Sequence, residues 1–195
     1  MTDITTEQIK ELRDRTGVSV MQCKRALEEA EGDIEKAVII LRKHSSAIAQ
    51  KKSDRELCSG VVQAYIHNTK DVGALVQLSC ETDFVAKNEE FIQLAYDIAM
   101  HITAANPIGL SREDITESDM KTARDVFKKE IEGKPQNMHE KILEGKLDAY
   151  FKDKILLEQP FIKSPEVTIQ DLISSAVQKF GERVELTAFT RYSIR

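Results

Sequence analysis

Apolar positions along the first fifty residues recur at helical spacing between short polar breaks. Thr5-Thr6-Glu7-Gln8 fits a capping box, in which the Thr hydroxyl takes a free amide and Gln8 reaches back. Ile9 and Leu12 then share a face, and Gly17 marks the stop. Ser19 and Gln22 repeat the box and open a second helix through 27–30, with Gly32 just beyond it. Asp33 caps a third helix, whose Ile34, Val38 and Leu41 are spaced by four and three. The pattern predicts a three-helix bundle over residues 1–52 with too little core to be more than marginally stable. Residues 45–53 read as helix tail and linker.

The period then changes. Residues 60–67 (GVVQAYIH) and 72–80 (VGALVQLSC) alternate with period two, so Val62, Ala64 and Ile66 share one face of the first run. Val72, Ala74, Val76 and Leu78 share a face of the second. Turn residues 68–71 join them as an antiparallel hairpin. Phe91, Ala95, Ile98 and Ile102 predict a helix over 88–104, ended by Pro107. The polar stretch 111–154 carries two narrow apolar stripes, Met120-Ala123-Phe127-Ile131 and Met138-Ile142-Ala149, on either side of Gly133-Lys134-Pro135. They predict an antiparallel helical hairpin, about 111–157, projecting into solvent. Residues 158–163 read as a short edge strand limited by Pro160, Thr168 as the cap of a helix closed by Gly181, and 185–194 as a last alternating strand. The fold class is α+β: a three-helix bundle, then a core over 53–195 with a small antiparallel sheet, flanking helices and the projecting hairpin.

Composition narrows the functional classes. Of 195 residues, 28 are basic and 33 acidic, giving net charge −5 without a basic stripe, which argues against direct binding of nucleic acid. Cys23, Cys58 and Cys80 form no C-x-x-C pair, so neither a zinc site nor a disulfide framework is indicated, and free thiols suit a reducing compartment. No run approaches the roughly 18 apolar residues of a membrane span, and the N-terminus does not read as a secretion signal. The expectation is a soluble, cytoplasmic chain without membrane contact. Phosphate-loop, dinucleotide, zincin and serine-hydrolase motifs are absent from the sequence. His44, His67, His101 and His139 fall on different elements, and a Cys80–His101 pair would have no orienting third group at a recognisable spacing.

One connection is unusual. Residues 80–88, CETDFVAKN, place a large aromatic beside an acid between a strand and a helix. Thr82 or Asp83 could cap the helix with Phe84 tucked beneath it as a staple. Alternatively Phe84 stands out as a wedge for a partner's pocket, with Asp83 beside it. This segment, followed by Glu89-Glu90-Phe91, resembles the hallmark of the elongation factor Ts family. Leu12-Arg13, Thr16-Gly17 and residues 20–27 (VMQCKRAL) resemble its N-terminal signature, while 98–102 (IAMHI) and 157–161 (LEQPF) resemble two further blocks. Ser19 and Gln22 depart from it, standing where many members have Gly and Asp.

The resemblance implies a ubiquitin-associated-like bundle and a core domain that act together as a guanine-nucleotide exchange factor for elongation factor Tu. It implies no covalent chemistry and no cofactor of the chain's own, since GDP, GTP and magnesium belong to the partner GTPase. It puts Asp83 and Phe84 at the exchange site, framed by Thr82 and Val85. Asp83 either polarises the displaced site or caps the helix. Val20 and Met21 either dock on the partner or pack internally, and His101 is either a contact or a structural histidine. The length matches the short form with a single core module, which implies a homodimer through the core sheet and a two-to-two complex. The hairpin would be an accessory arm or a solvated spacer. The competing classes are an adaptor for another target, which would have no use for the Thr-Asp-Phe turn, and a Cys/His hydrolase.

Overall fold

The computed structural model describes residues 4–131 and 138–194. Helices α1 (Thr6–Thr16), α2 (Val20–Glu29) and α3 (Ile34–Lys51) form the bundle around Leu12, Val18, Cys23, Ala26, Leu27, Ala37 and Leu41. Its caps follow the local sequence. Thr5 and Gln8 make the full reciprocal box, Gly17 ends α1 in the left-handed region at φ 67°, and Asp33 accepts from the Lys36 amide. Ser19 caps α2 through the Gln22 amide, but the Gln22 side chain bonds the Ser19 hydroxyl and leaves the reciprocal arm unmade.

The expected helix tail and linker is mostly helix. α3 runs to Lys51, and its second half lies against α8 (Ile169–Phe180), with Ile48 and Ala49 packed on the core and the Ser45 hydroxyl donating to Gln178. Arg42 also donates to the Glu166 carbonyl at 2.7 Å. The bundle is thereby seated on a larger body, which supplements the small apolar interior it has alone.

That body is built on an antiparallel sheet, in the order β1 (Ser59–Ile66), β2 (Val72–Cys80), β5 (Val184–Ser193). Helices α5 (Glu89–Ala105) and α8 cover one of its faces. Ala74, Val76, Leu78, Cys80 and Leu186 meet Phe91, Ala95, Ile98, Ile102, Ile173 and Val177 there, all buried. β2 and β5 fall out of step between Gln77 and Leu78, leaving Thr187 as an extra residue on β5. Its hydroxyl lies 3.0 Å from that of Ser79 and donates to the Gln77 carbonyl at 3.3 Å. This bulge reverses the parity of the strand, so Val184 and Leu186 point inward before it while Ala188, Thr190 and Tyr192 lie on the outer side after it.

Helices α6 (Glu117–Ile131) and α7 (His139–Lys152) run antiparallel: Phe127 meets Tyr150 edge-on at 5.7 Å, and Lys146 pairs with Glu130. The expected break at Gly133-Lys134-Pro135 lies outside the described residues. The first stripe packs as expected. The second is Leu143, Leu147 and Phe151, continued by Ile155, with Ile142 beside it; Met138 and Ala149 are exposed. Spacings of four keep those leucines and the phenylalanine on the side facing α6, whereas 138 to 149 drifts around the helix. Arg112 ties the base of the pair to Asp148 and Glu158. The strand expected over 158–163 is a two-residue β3 (Pro160–Phe161) after a short 3-10 turn. It pairs with β4 (Ser164–Thr168), a strand the alternation did not reveal.

Candidate functional site

The turn after β2 begins in the core and ends in solvent. Cys80 is fully buried opposite Val184, and its thiol donates to the Thr82 carbonyl at 3.2 Å. Burial first, then the nearby Glu182 charge, push this thiol above its ordinary pKa, so it is a packing group and not a nucleophile. Thr82 is the N-cap of the four-residue α4 (Asp83–Ala86), and its hydroxyl accepts from the Val85 amide at 3.5 Å. Val85 is buried and anchors the turn, and Asn88 caps α5 by accepting from the Glu90 amide at 2.9 Å. The turn is therefore held at both ends by caps and in the middle by Val85.

Phe84 points away from all of this and is 82% exposed. The staple arrangement is excluded, because a staple would cover the ring. Full burial of a phenylalanine side chain is worth about 1.5–3 kcal/mol. A chain that leaves this ring in water beside a well-formed core is not using it for folding. Asp83 does not cap the helix either. Its carboxylate is exposed and accepts from Lys87 Nζ at 2.6 Å, and that hydrogen bond and charge hold it below the usual carboxylate range.

Four of the seven expected residues, Thr82 to Val85, are thus brought together on one turn. Val20 and Met21 lie apart from it, on the first turn of α2 in the bundle. They are 50% and 60% exposed, which excludes simple core packing. His101 is placed differently. It is 2% exposed on the covered side of α5, so it does not reach the surface of this chain. The Ile162 amide donates to Nδ1 at 3.3 Å, leaving the proton on Nε2, which donates to Gln159 Oε1 at 2.9 Å. Gln159 in turn donates to the Asp153 carbonyl at 2.8 Å. Burial lowers the His101 pKa against a smaller opposing effect of Gln159. The ring is a neutral strut between α5 and the exit of the helical hairpin, 58 residues from Gln159 in sequence.

Two features escaped the sequence reading. The first is the pair of carboxylates beside the turn. Glu81 accepts from the Arg183 amide at 2.5 Å and pairs with Arg55 at 3.2 Å; Glu182 accepts from the Thr82 amide at 3.0 Å and its hydroxyl at 2.6 Å. The Arg183 amide, then Arg55, keep Glu81 below the usual carboxylate range. No local spacing signals the Glu81–Arg183 and Glu182–Thr82 bonds, which join residues about a hundred positions apart. The second is the outer face of the sheet, where Val62, Ile66, Leu75 and Tyr192 are all exposed, with Ile194 just past the end of β5. The period of β1 had already grouped Val62 with Ile66 without saying which side they faced. Among the described residues no group of three or more His, Cys, Asp or Glu could hold a metal ion, and no helix is long and apolar enough to cross a membrane.

The family model described as Elongation factor TS matches residues 48–195. The chain belongs to the elongation factor Ts family. Its similarity to individual members extends through the bundle. It is 48% identical over 193 residues to elongation factor Ts of Carboxydothermus hydrogenoformans, covering 98% of this chain and 89% of that one. It is 49% identical over 192 residues to elongation factor Ts of Thermodesulfovibrio yellowstonii, covering 98% and 96%, and 43% identical over 193 residues to that of Thermosipho melanesiensis, covering 98% of each. Elongation factor Ts is a nucleotide exchange factor of translation elongation that acts on elongation factor Tu, and this chain shares that class of activity.

Proposed function

We propose that this chain promotes release of GDP from elongation factor Tu by pressing Phe84, with Asp83 beside it, into the partner near its magnesium and phosphate site. The observation that carries the reading is the outward ring of Phe84 on a turn whose neighbours are bonded or buried. Aromatic side chains that enter a partner's pocket dominate interface energy, and a ring already positioned loses little freedom on docking. Magnesium bridging the phosphates and the phosphate-binding loop holds a guanine nucleotide tightly. A wedge that displaces the elements carrying those contacts weakens the nucleotide without replacing it. Linkage makes the effect reciprocal: the ratio by which the factor weakens GDP is the ratio by which GDP weakens the factor. GTP, and then aminoacyl-tRNA, would complete the cycle by removing the factor. Nucleotide and metal belong to the partner, and the chain contributes contacts and no covalent step.

Val20 and Met21 supply a second docking patch on the bundle, and its position on a separate element lets the factor grip the partner while the turn works elsewhere. His101 serves by holding α5 against the base of the hairpin instead of touching the partner. A second copy of the chain covers the outer sheet face at Val62, Ile66, Leu75 and Tyr192, giving a homodimer and a two-to-two complex in the cytoplasm. Such a cluster of exposed apolar side chains on a sheet is the kind of surface that a partner covers. Residues 1–52 and 53–195 would then be the docking and exchange domains, with the hairpin as an accessory arm.

The test is release of a fluorescent GDP analogue from purified elongation factor Tu with and without the chain. Acceleration that disappears with Phe84→Ala supports the wedge; unchanged release on adding the native chain removes it. Light scattering tests the dimer, and a monomeric mass at working concentration would reject it.

A further inference from the structure

We infer that Glu182 is a positioning residue for the exchange turn, acting on GDP release only through the placement of Phe84; the inference rests on the exchange reading above. The last ladder pair between β2 and β5 is Cys80 with Val184. Beyond it the segments leaving β2 and entering β5 continue to be joined by crossed carboxylates. From the β2 side, Glu81 takes the Arg183 amide at 2.5 Å, and from the β5 side, Glu182 takes the Thr82 amide at 3.0 Å and hydroxyl at 2.6 Å. Arg183 also donates to the Arg55 carbonyl at 2.5 Å, and Arg55 pairs with Glu81, so the far side of the junction is closed as well.

The turn needs this support. A helix of four residues is far below the length that is stable by its own hydrogen bonds. Its own N-cap contact is long, at 3.5 Å, whereas both bonds to Glu182 are made to a carboxylate, the stronger kind. Phe84, being 82% exposed, is not held by packing of its own. Its position is therefore set by the backbone on either side: Val85 in the core after it, and Thr82 before it. Glu182 fixes Thr82. Removing that carboxylate frees the start of the turn while leaving Val85 buried, so the ring would still reach the partner but press less effectively.

The experiment is stopped-flow release of fluorescent GDP from elongation factor Tu over a range of factor concentrations. Glu182→Ala is expected to lower the saturating rate about tenfold, the scale of losing a charge-assisted bond pair. The half-saturating concentration should move by about twofold at most, because the other contacts remain. Glu182→Gln, which retains one acceptor oxygen, should fall between Ala and native. The deciding comparison is the double variant. Phe84→Ala with Glu182→Ala should release GDP at the rate of Phe84→Ala alone, because two residues acting through one ring are not additive. A further tenfold or so loss in that background, or no loss from Glu182→Ala in the native background, overturns the inference. If Phe84→Ala itself leaves release unchanged, the exchange reading falls first and takes this one with it. Should Glu182→Ala not fold by circular dichroism, Thr82→Val and Thr82→Ser ask the same question. The Val variant loses the short bond to Glu182 together with the long one from the Val85 amide and should be slow, the Ser variant should restore the rate, and equal rates for the two overturn the assignment.

Discussion

Both faces of the three-stranded sheet carry large apolar side chains, yet among the described residues only one face is covered. On the inner side Val76, Leu78 and Leu186 are sealed beneath α5 and α8; on the outer side Val62, Ile66, Leu75 and Tyr192 are exposed to water. The difference teaches that side-chain character does not tell folding surfaces from meeting surfaces in this chain. What separates them is whether the same chain provides a helix to lie across them. Phe84 belongs with the outer group, as a large apolar side chain that folding leaves uncovered.

Stability measurements can break that comparison. Leu78→Ala, on the covered side, is expected to cost about 3 kcal/mol in urea unfolding, through lost transfer energy and the cavity left behind. A loss as small as that of an outer-face variant would mean the inner face is not the core. Acid should act on the same side next. His101 is buried and neutral, with its folded pKa below the ordinary value of about 6.5. The unfolded chain then binds more protons than the folded one between the depressed value and about 6.5, so stability rises with pH through that window and is lost as pH falls through it. The urea midpoint should therefore drop between about pH 7.5 and about pH 5.5, and more in the native chain than in His101→Gln. An identical drop in both would assign the acid sensitivity to other groups.

The outer face should respond in the opposite way. Ile66→Ser and Tyr192→Ser are each expected to change the stability of an isolated subunit by less than about 0.5 kcal/mol. Together they should lower the mass seen by light scattering from two chains to one. If they unfold the chain instead, the outer face is part of the fold. The smallest effect on stability is expected at Phe84, where replacement by Ala should leave the urea midpoint within measurement error while GDP release slows. Equal losses of folding and of exchange would contradict the ring's exposed placement.

Much of this arrangement was legible in the sequence because it is local. Thr5, Ser19, Asp33, Asn88 and Thr168 cap helices through bonds within three residues, and Gly17 and Gly181 end helices by taking a left-handed conformation open to glycine. The β1–β2 hairpin and the stripe on α5 follow from periods of two and 3.6. What escaped was non-local or irregular. β4 is a short strand whose partner, among the described residues, is the two-residue β3. The bulge at Thr187 resets the alternation of β5 halfway, so no single parity describes it. Side-chain character alone does not pick out the stripe of α7, because Met138 and Ala149 are as apolar as the residues that face α6.

The chain itself determined where most of its helices are capped and where the β1–β2 hairpin turns, and it carried the Thr-Asp-Phe turn by which it resembles the family. Those properties depend on neighbours within a few residues, and side-chain type at close spacing is enough to set them. Only the tertiary structure decided that Phe84 stands in water while His101 does not, that the β1 face bearing Val62 and Ile66 is left open, and that Glu182 reaches back to Thr82. Each of these depends on which distant segment arrives to cover or to bond a given group, and that is fixed by how the helices pack across the sheet.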